Sequence, residues 1–145
     1  MSNSTVQRNE LAALVPEGQY KVRFIQYETL KRFGSSKLRM EFQIIDFGDH
    51  FETSVCRYYT LHHLIGKPCV GGRFKPTAQT SVLLVHYYDC HPTAPRIKRL
   101  DRIPMDLWKD GEYIADVKTV SSNHRQHKLP EQLQYSKIDD LRRAV

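Results

Sequence analysis

The chain has 145 residues, which suits one domain with a real core and leaves little for a second. Lys and Arg number 22 against 16 Asp and Glu, a net charge of +6, and 40% of the residues are hydrophobic. That balance excludes a wholly disordered chain and makes polyanions plausible partners.

No apolar run reaches the length of a membrane span, and the polar start "MSNSTVQRNE" has no signal-peptide core. Three widely spaced cysteines, Cys56, Cys69 and Cys90, read as reduced thiols and not as a disulfide framework. The expected location is the cytoplasm, with no membrane partner.

Residues 1–17 are expected to be a flexible segment, in which "ELAALVP" gives at most two helical turns before Pro16. Residues 18–145 are read as a single domain. In "GQYKVRF" the residues Tyr20, Val22 and Phe24 alternate with Lys21 and Arg23, the period of a half-buried strand running to about Glu28. "KRFGSS" turns, and "KLRMEFQII" returns with Leu38, Met40, Phe42 and Ile44 inward and Lys37, Arg39, Glu41 and Gln43 outward, so the two runs form a hairpin. "FETSVCRYYTL" is the third predicted strand. Its alternation slips near Val55 and Cys56, which a β-bulge or an exposed Arg57 edge would explain.

"LHHLI" reads as a helical turn and "GKPCVGGRFKP" as a loop. "QTSVLLVHYYD" is the fourth predicted strand, apolar on both faces and therefore central or doubly covered. "IPMDLW" reads as a short helix or turn, and "DGEYIADVKTV" as the fifth strand. "SSNHRQHKLP" is a polar basic loop. "EQLQYSKIDDLRRAV" predicts a C-terminal helix, with a capping-box spacing at Ser136 and Asp139 and with Leu133, Ile138 and Leu141 to dock it. Five strands with short turns and one terminal helix predict a mainly β fold, a small five-stranded antiparallel OB-like barrel. A curved sheet with a packed helix is the alternative. "PEGQYKVRF" and "KDGEYIADV" share a pattern, read as two good strand entrances and not as a duplication.

The first hairpin tip places Lys31, Arg32, Lys37 and Arg39 around Phe33. A single-strand binder needs cations to hold phosphates and a ring to stack on a base. The competing reading is a solvated hairpin with Phe33 folded onto the core. The tyrosine pairs Tyr58-Tyr59 and Tyr87-Tyr88 come next. On strands, each pair sends one ring inward and one outward. Arg57 and Tyr59 should share a face, as should His86 and Tyr88, and Tyr59 and Tyr88 are the rings assigned to stacking. Tyrosine is also an ordinary strand former that packs its ring and wets its hydroxyl. Arg96, Lys98, Arg99 and Arg102, together with Arg125 and Lys128, add positive charge in loops; His124 and His127 can join them as pH falls.

No metal or other cofactor is expected. There is no Cys-x-x-Cys, and the adjacent pairs Cys90-His91 and His62-His63 cannot easily aim both side chains at one ion. No Gly-x-Ser-x-Gly and no phosphate-cradling glycine loop occurs. One enzymatic pattern remains. Asp116 and Lys118 reach the same strand face, as in a metal-dependent nuclease, if Asp101, Asp106 or Glu112 joins them.

"KLRMEFQIIDFG" with "CRYYTL", and "RLDRIPM" with the later "VKTV" and "LPEQLQYSKIDDL", resemble in order and spacing a group of small uncharacterised proteins carried by phages and integrative or conjugative elements of bacteria. The resemblance covers most of the chain from Gly18 onward. It implies a mobile-element setting, in which DNA processing or the blocking of a host defence complex is the expected task. It carries no activity onto named residues.

The leading expectation is therefore a non-enzymatic protein that binds single-stranded DNA or RNA. Phosphate contacts are expected from Lys31, Arg32, Lys37, Arg39 and Arg57, and stacking from Phe33, Tyr59 and Tyr88. A module that inhibits a host defence or nuclease complex is the second expectation, and the nuclease the third. An open barrel edge also allows a homodimer.

Overall fold

The structure, a computed structural model, describes residues 14–32, 34–78, 81–121, 128 and 134–144. Six strands form one antiparallel sheet: β1 (Gly18–Arg32), β2 (Ser35–Ile44), β3 (Ser54–Ile65), β4 (Arg73–Pro76), β5 (Glu112–Val120) and β6 (Tyr135–Arg143). Their order is β4-β3-β2-β1-β5-β6. Among the described residues there is one α-helix, α1 (Val82–Cys90), and one turn of 3-10 helix, Met105–Trp108. The fold is mainly β, as expected, but the sheet is open and is not a closed five-stranded barrel. The predicted N-terminal segment falls largely outside the described residues.

β1 is long because it serves two neighbours. Its first part, Gly18–Arg23, pairs with β5, and Val22–Arg32 pairs with β2, with a register shift between Phe24 and Gln26. An extra residue there bends the strand and increases its twist. The two similar strand entrances lie side by side, with Tyr20 opposite Ala115 and Val22 opposite Tyr113. β3 and β6 come within reach of each other without hydrogen bonding, so the sheet curls.

Four predicted segments are of the wrong type: "LHHLI", read as a helical turn, continues β3, "RFKP", read as loop, is β4, and the other two are α1 and β6. "SVLLVHYYD" is helix α1, not a strand, capped by the Ser81 hydroxyl, which accepts the Leu84 N–H at 3.4 Å. Leu83, Leu84, His86, Tyr87 and Cys90 are buried at helical spacing, while Val82, Val85 and Asp89 face outward. Two exposed valines hid the polar side from a sequence reading, and β-branched and aromatic residues suggested a strand.

The C-terminal segment is strand β6, not a helix. Ser136, Ile138 and Leu141 are buried on it as Val117 and Ala115 are on β5. The register shifts where Asp116 pairs with Asp140 and Val117 with Ile138, leaving Asp139 as the extra residue. That bulge turns a spacing of two into a spacing of three, which imitates helical periodicity. Ser136 caps no helix; its Oγ accepts the Val15 N–H at 2.7 Å and donates to the Val15 carbonyl at 3.1 Å.

The core sits on the inner face of the curled sheet, around Trp108. That ring is fully buried and meets the rings of His91 at 4.6 Å, Tyr113 at 5.1 Å, Phe42 at 5.9 Å, and Phe24 and Tyr87 at 6.4 Å. Trp108→Ala should cost about 3–5 kcal/mol in a urea titration, and a loss under about 1 kcal/mol would contradict a core organised around this ring.

Candidate nucleic-acid interface

The outer face of the β1–β3 sheet is set by register. Leu38, Met40, Phe42 and Ile44 of β2 are buried, so Lys37, Arg39, Glu41 and Gln43 face out. The β2–β3 pairs are Lys37 with Thr60, Leu38 with Tyr59, Arg39 with Tyr58, Met40 with Arg57, and Phe42 with Val55. Directly paired residues point the same way. Tyr59 and Arg57 therefore face the core side, and Tyr58 and Thr60 face out. This register is continuous over Ser54–Thr60, with no bulge at Val55 and Cys56. The irregularity in β3 lies later, between Leu61 and His63, where the predicted helical turn is a continuation of the strand.

Among the eight residues singled out in the sequence, the structure gathers three around Tyr58. The Arg32 guanidinium stands over the Tyr58 ring, 5.7 Å from its centroid. Lys37 lies two register positions away, on the same face, and donates to Thr60 Oγ1 at 2.8 Å. Arg39, directly opposite Tyr58, donates to Glu28 Oε1 at 2.8 Å and lies 3.7 Å from Glu41. Arg39 is thus already engaged by two carboxylates, and it steadies the face more than it adds net positive charge. Lys31 pairs with Ser36 and belongs to the opposite face, with Tyr27 and Thr29. Phe33 lies outside the described residues.

The other three are not on this face. Tyr59 is only 3% exposed, and its hydroxyl lies 2.7 Å from His86 Nδ1 on α1. The Arg57 guanidinium packs over the Tyr59 ring at 4.7 Å. Arg57 is therefore spent on an inward cation–π contact, and its expected role as a phosphate ligand is corrected along with the stacking role of Tyr59. Tyr88 is half-buried on α1, where its hydroxyl accepts the Ile97 N–H at 3.0 Å. Tyr88 stands on α1, packed against the core cluster, and not on a strand of the β1–β3 face, so its expected stacking role there is not supported. Tyr58, which is not among the rings assigned to stacking, is the outward one. Leu38 and Met40 face in, so their register partners Tyr59 and Arg57 do too, but that register is not legible in either strand alone.

His86 joins three elements. Its Nδ1 faces the Tyr59 hydroxyl of β3, and its Nε2 lies 3.0 Å from Asp140 Oδ1 of β6. Burial, and then the Arg57 charge, lower its pKa and hold it neutral, against the opposing pull of Asp140. A neutral ring fits the chain in which the Tyr59 hydroxyl donates to Nδ1 and Nε2–H donates to Asp140. Burial also pushes the Tyr59 hydroxyl well above its usual value, so it stays protonated. His91, packed edge-on against Trp108, is lowered by burial, with help from Arg143, to about 4.

The nuclease expectation finds little to build on. Arg142 lies 3.7 Å from Asp116 Oδ2, and among the described residues no three His, Cys, Asp or Glu side chains converge as metal ligands. Of the basic segments, Arg99 is held by Asp101 through two hydrogen bonds, while Arg125 lies outside the described residues. Comparison with protein-family models, with curated proteins and with solved structures finds no match.

Both buried histidines are neutral in the fold but take up a proton near pH 6.5 once unfolded, so the unfolded chain binds more protons below that pH. Their contribution should be complete above pH 7 and fall away as the pH drops from about 6.5 toward 4. The urea midpoint should follow that curve, and His91→Phe should flatten part of it. A midpoint that stays constant across this window would contradict both neutral histidines.

Proposed function

We propose that the outer face of β1–β3 binds single-stranded nucleic acid, with Tyr58 stacking on a base and Arg32 and Lys37 meeting the flanking phosphates. The observation that carries this reading is the outward Tyr58 ring with Arg32 over it and Arg39 and Lys37 on the neighbouring strand. A flat ring ringed by cations is what sequence-tolerant single-strand binding requires, because every base has a π-face and every nucleotide a phosphate. Glu28 and Glu41 lie on the same face, so the attraction is moderate and comes from the Arg32 and Lys37 side.

The strand order adds support. Without β4, the order β3-β2-β1-β5-β6, with a helix between β3 and β5 in sequence and β3 and β6 drawn together, is that of a five-stranded Greek-key barrel of the OB type. In that architecture the outer face of the second and third strands is where oligonucleotides lie. On this reading β4 is an added edge ribbon, and α1 plugs the gap between β3 and β6 in place of ladder hydrogen bonds. A protein of a mobile element, as the sequence resemblance implies, would meet single strands during DNA transfer and replication.

A fluorescent oligonucleotide titration tests this. Affinity should fall linearly on a log–log plot against salt, by about 0.7 of a log unit per log unit of salt for each phosphate neutralised. Tyr58→Ala should weaken binding by about 1–3 kcal/mol, and Lys37→Ala should flatten the salt slope. Tyr88→Phe should leave binding unchanged. Absence of binding at low salt, or binding indifferent to Tyr58, would overturn the reading.

A further inference from the structure

The turn between β2 and β3 presents two phenyl rings to solvent. Phe47 is 93% exposed and Phe51 42%, and the rings stack at 5.4 Å with 19° between their planes. The turn that carries them is ordered by its own backbone. Phe51 N–H donates to Gly48 at 3.2 Å, Thr53 N–H to His50 at 3.0 Å, and Glu52 N–H to Ile44 at 2.8 Å. Asp46 Oδ2 accepts the Lys21 N–H at 2.8 Å and ties the turn to β1. Glu52 holds a φ of 71°, a left-handed conformation that a non-glycine residue adopts only at a cost. Rings displayed on a turn fixed in this way are pre-organised for a contact, since little entropy remains to be lost on docking. The turn's own charges are negative: Asp46, Asp49 and Glu52, the last two without an ion-pair partner among the described residues; beside Phe51 the cations Arg23 and Lys109 are matched by Asp110 and Glu112, so the surroundings stay acidic on balance.

The opposite end of β3 carries the complementary surface. A cleft of 320 Å³ lies between the edge strand β4 and residues 101–105, with Tyr27, Phe74, Ile103 and Met105 as its apolar lining and Arg73 and Arg102 at its rim. A second hollow of 430 Å³ shares Asp101 with it and adds His63 and Lys75. Asp101 is already held by Arg99, and Arg73, Lys75 and Arg102 form no ion pair among the described residues. The cleft is thus apolar at its base and cationic at its rim, the inverse of the phenyl turn.

We propose that the Phe47–Phe51 turn of one molecule docks in the β4 cleft of a second copy, giving a head-to-tail contact that repeats. The two surfaces match in shape class and in charge sign. One molecule cannot satisfy itself, because the turn adjoins Ser54 while Phe74 of the cleft pairs with Leu64, about 30 Å away along β3. An interface between two different patches of the same protein does not close on itself as a two-fold dimer does; it grows into a ring or an open chain. This contact differs from the edge-to-edge dimer expected from sequence, and it requires no nucleic acid.

Sedimentation of the purified protein without oligonucleotide is the test. At low ionic strength the mass should rise with concentration beyond a dimer, and high salt should reverse much of that rise. The variant Phe47→Ser/Phe51→Ser lacks the turn, and Arg73→Glu/Arg102→Glu lacks the rim; each alone should stay monomeric. Mixed in equal amounts they should form a species of twice the monomer mass and nothing larger, because the mixture keeps one intact turn facing one intact cleft. The milder Arg73→Gln/Arg102→Gln should reduce association severalfold while its circular dichroism matches the parent. The proposal is overturned by a parent that remains monomeric at its highest soluble concentration. It is equally overturned by single variants that assemble like the parent, or by a mixture that yields no dimer.

Discussion

The register of β2 against β3 decides which side of the sheet every candidate side chain occupies. Four apolar residues of β2, Leu38, Met40, Phe42 and Ile44, must be buried to form the core. Their partners on β3 are carried inward with them, so Val55, Arg57 and Tyr59 go to the core side while the half-buried Tyr58 and the exposed Thr60 go to the outer face. A slip of one residue would exchange the two sets entirely. The outward ring, its cationic neighbours and the inward Arg57–Tyr59 stack are all consequences of that single alignment.

The inward set then determines how the curled sheet is finished. Tyr59 brings a hydroxyl into the interior, where leaving it without a partner would cost more than a typical hydrogen bond contributes. His86 of α1 meets it and reaches on to Asp140 of β6. The helix thereby joins two strands that approach without pairing. Below this bridge, Leu83, Leu84 and Tyr87 of α1 join Trp108 and the inner faces of β1, β2 and β5 in one apolar cluster. The hydrogen-bond chain fixes where α1 sits, and the apolar contacts supply most of the adhesion.

Charge is distributed along β3 and not evenly over the surface. One end carries the aromatic turn with Asp46, Asp49 and Glu52, the middle carries Tyr58 between Arg32 and Arg39, and the far end carries Arg73, Lys75 and Arg102 beside the β4 cleft. The proposed nucleic-acid face and the proposed head-to-tail contact use different segments of that line. If both operate, neighbouring molecules would present their Tyr58 faces in succession, which is the geometry that cooperative coverage of a strand requires.

The alternation in "GQYKVRF", "KLRMEFQII" and "EYIADV" was enough to place β1, β2 and β5 and most of their core faces, because strands covered on one side leave a period of two in the sequence. It also placed Lys37 and Arg39 on the outer face. The sequence alone misassigned α1, whose exposed Val82 and Val85 erased the polar side of a helix, and β6, whose bulge at Asp139 imitated helical spacing. It could not choose between Tyr58 and Tyr59, since the choice depends on a partner strand and not on local pattern. Local periodicity thus determined the strands that carry the candidate interface. Only the tertiary structure decided which ring faces the solvent and which joins His86, because cross-strand register and the burial of polar groups are set by contacts between residues distant along the chain.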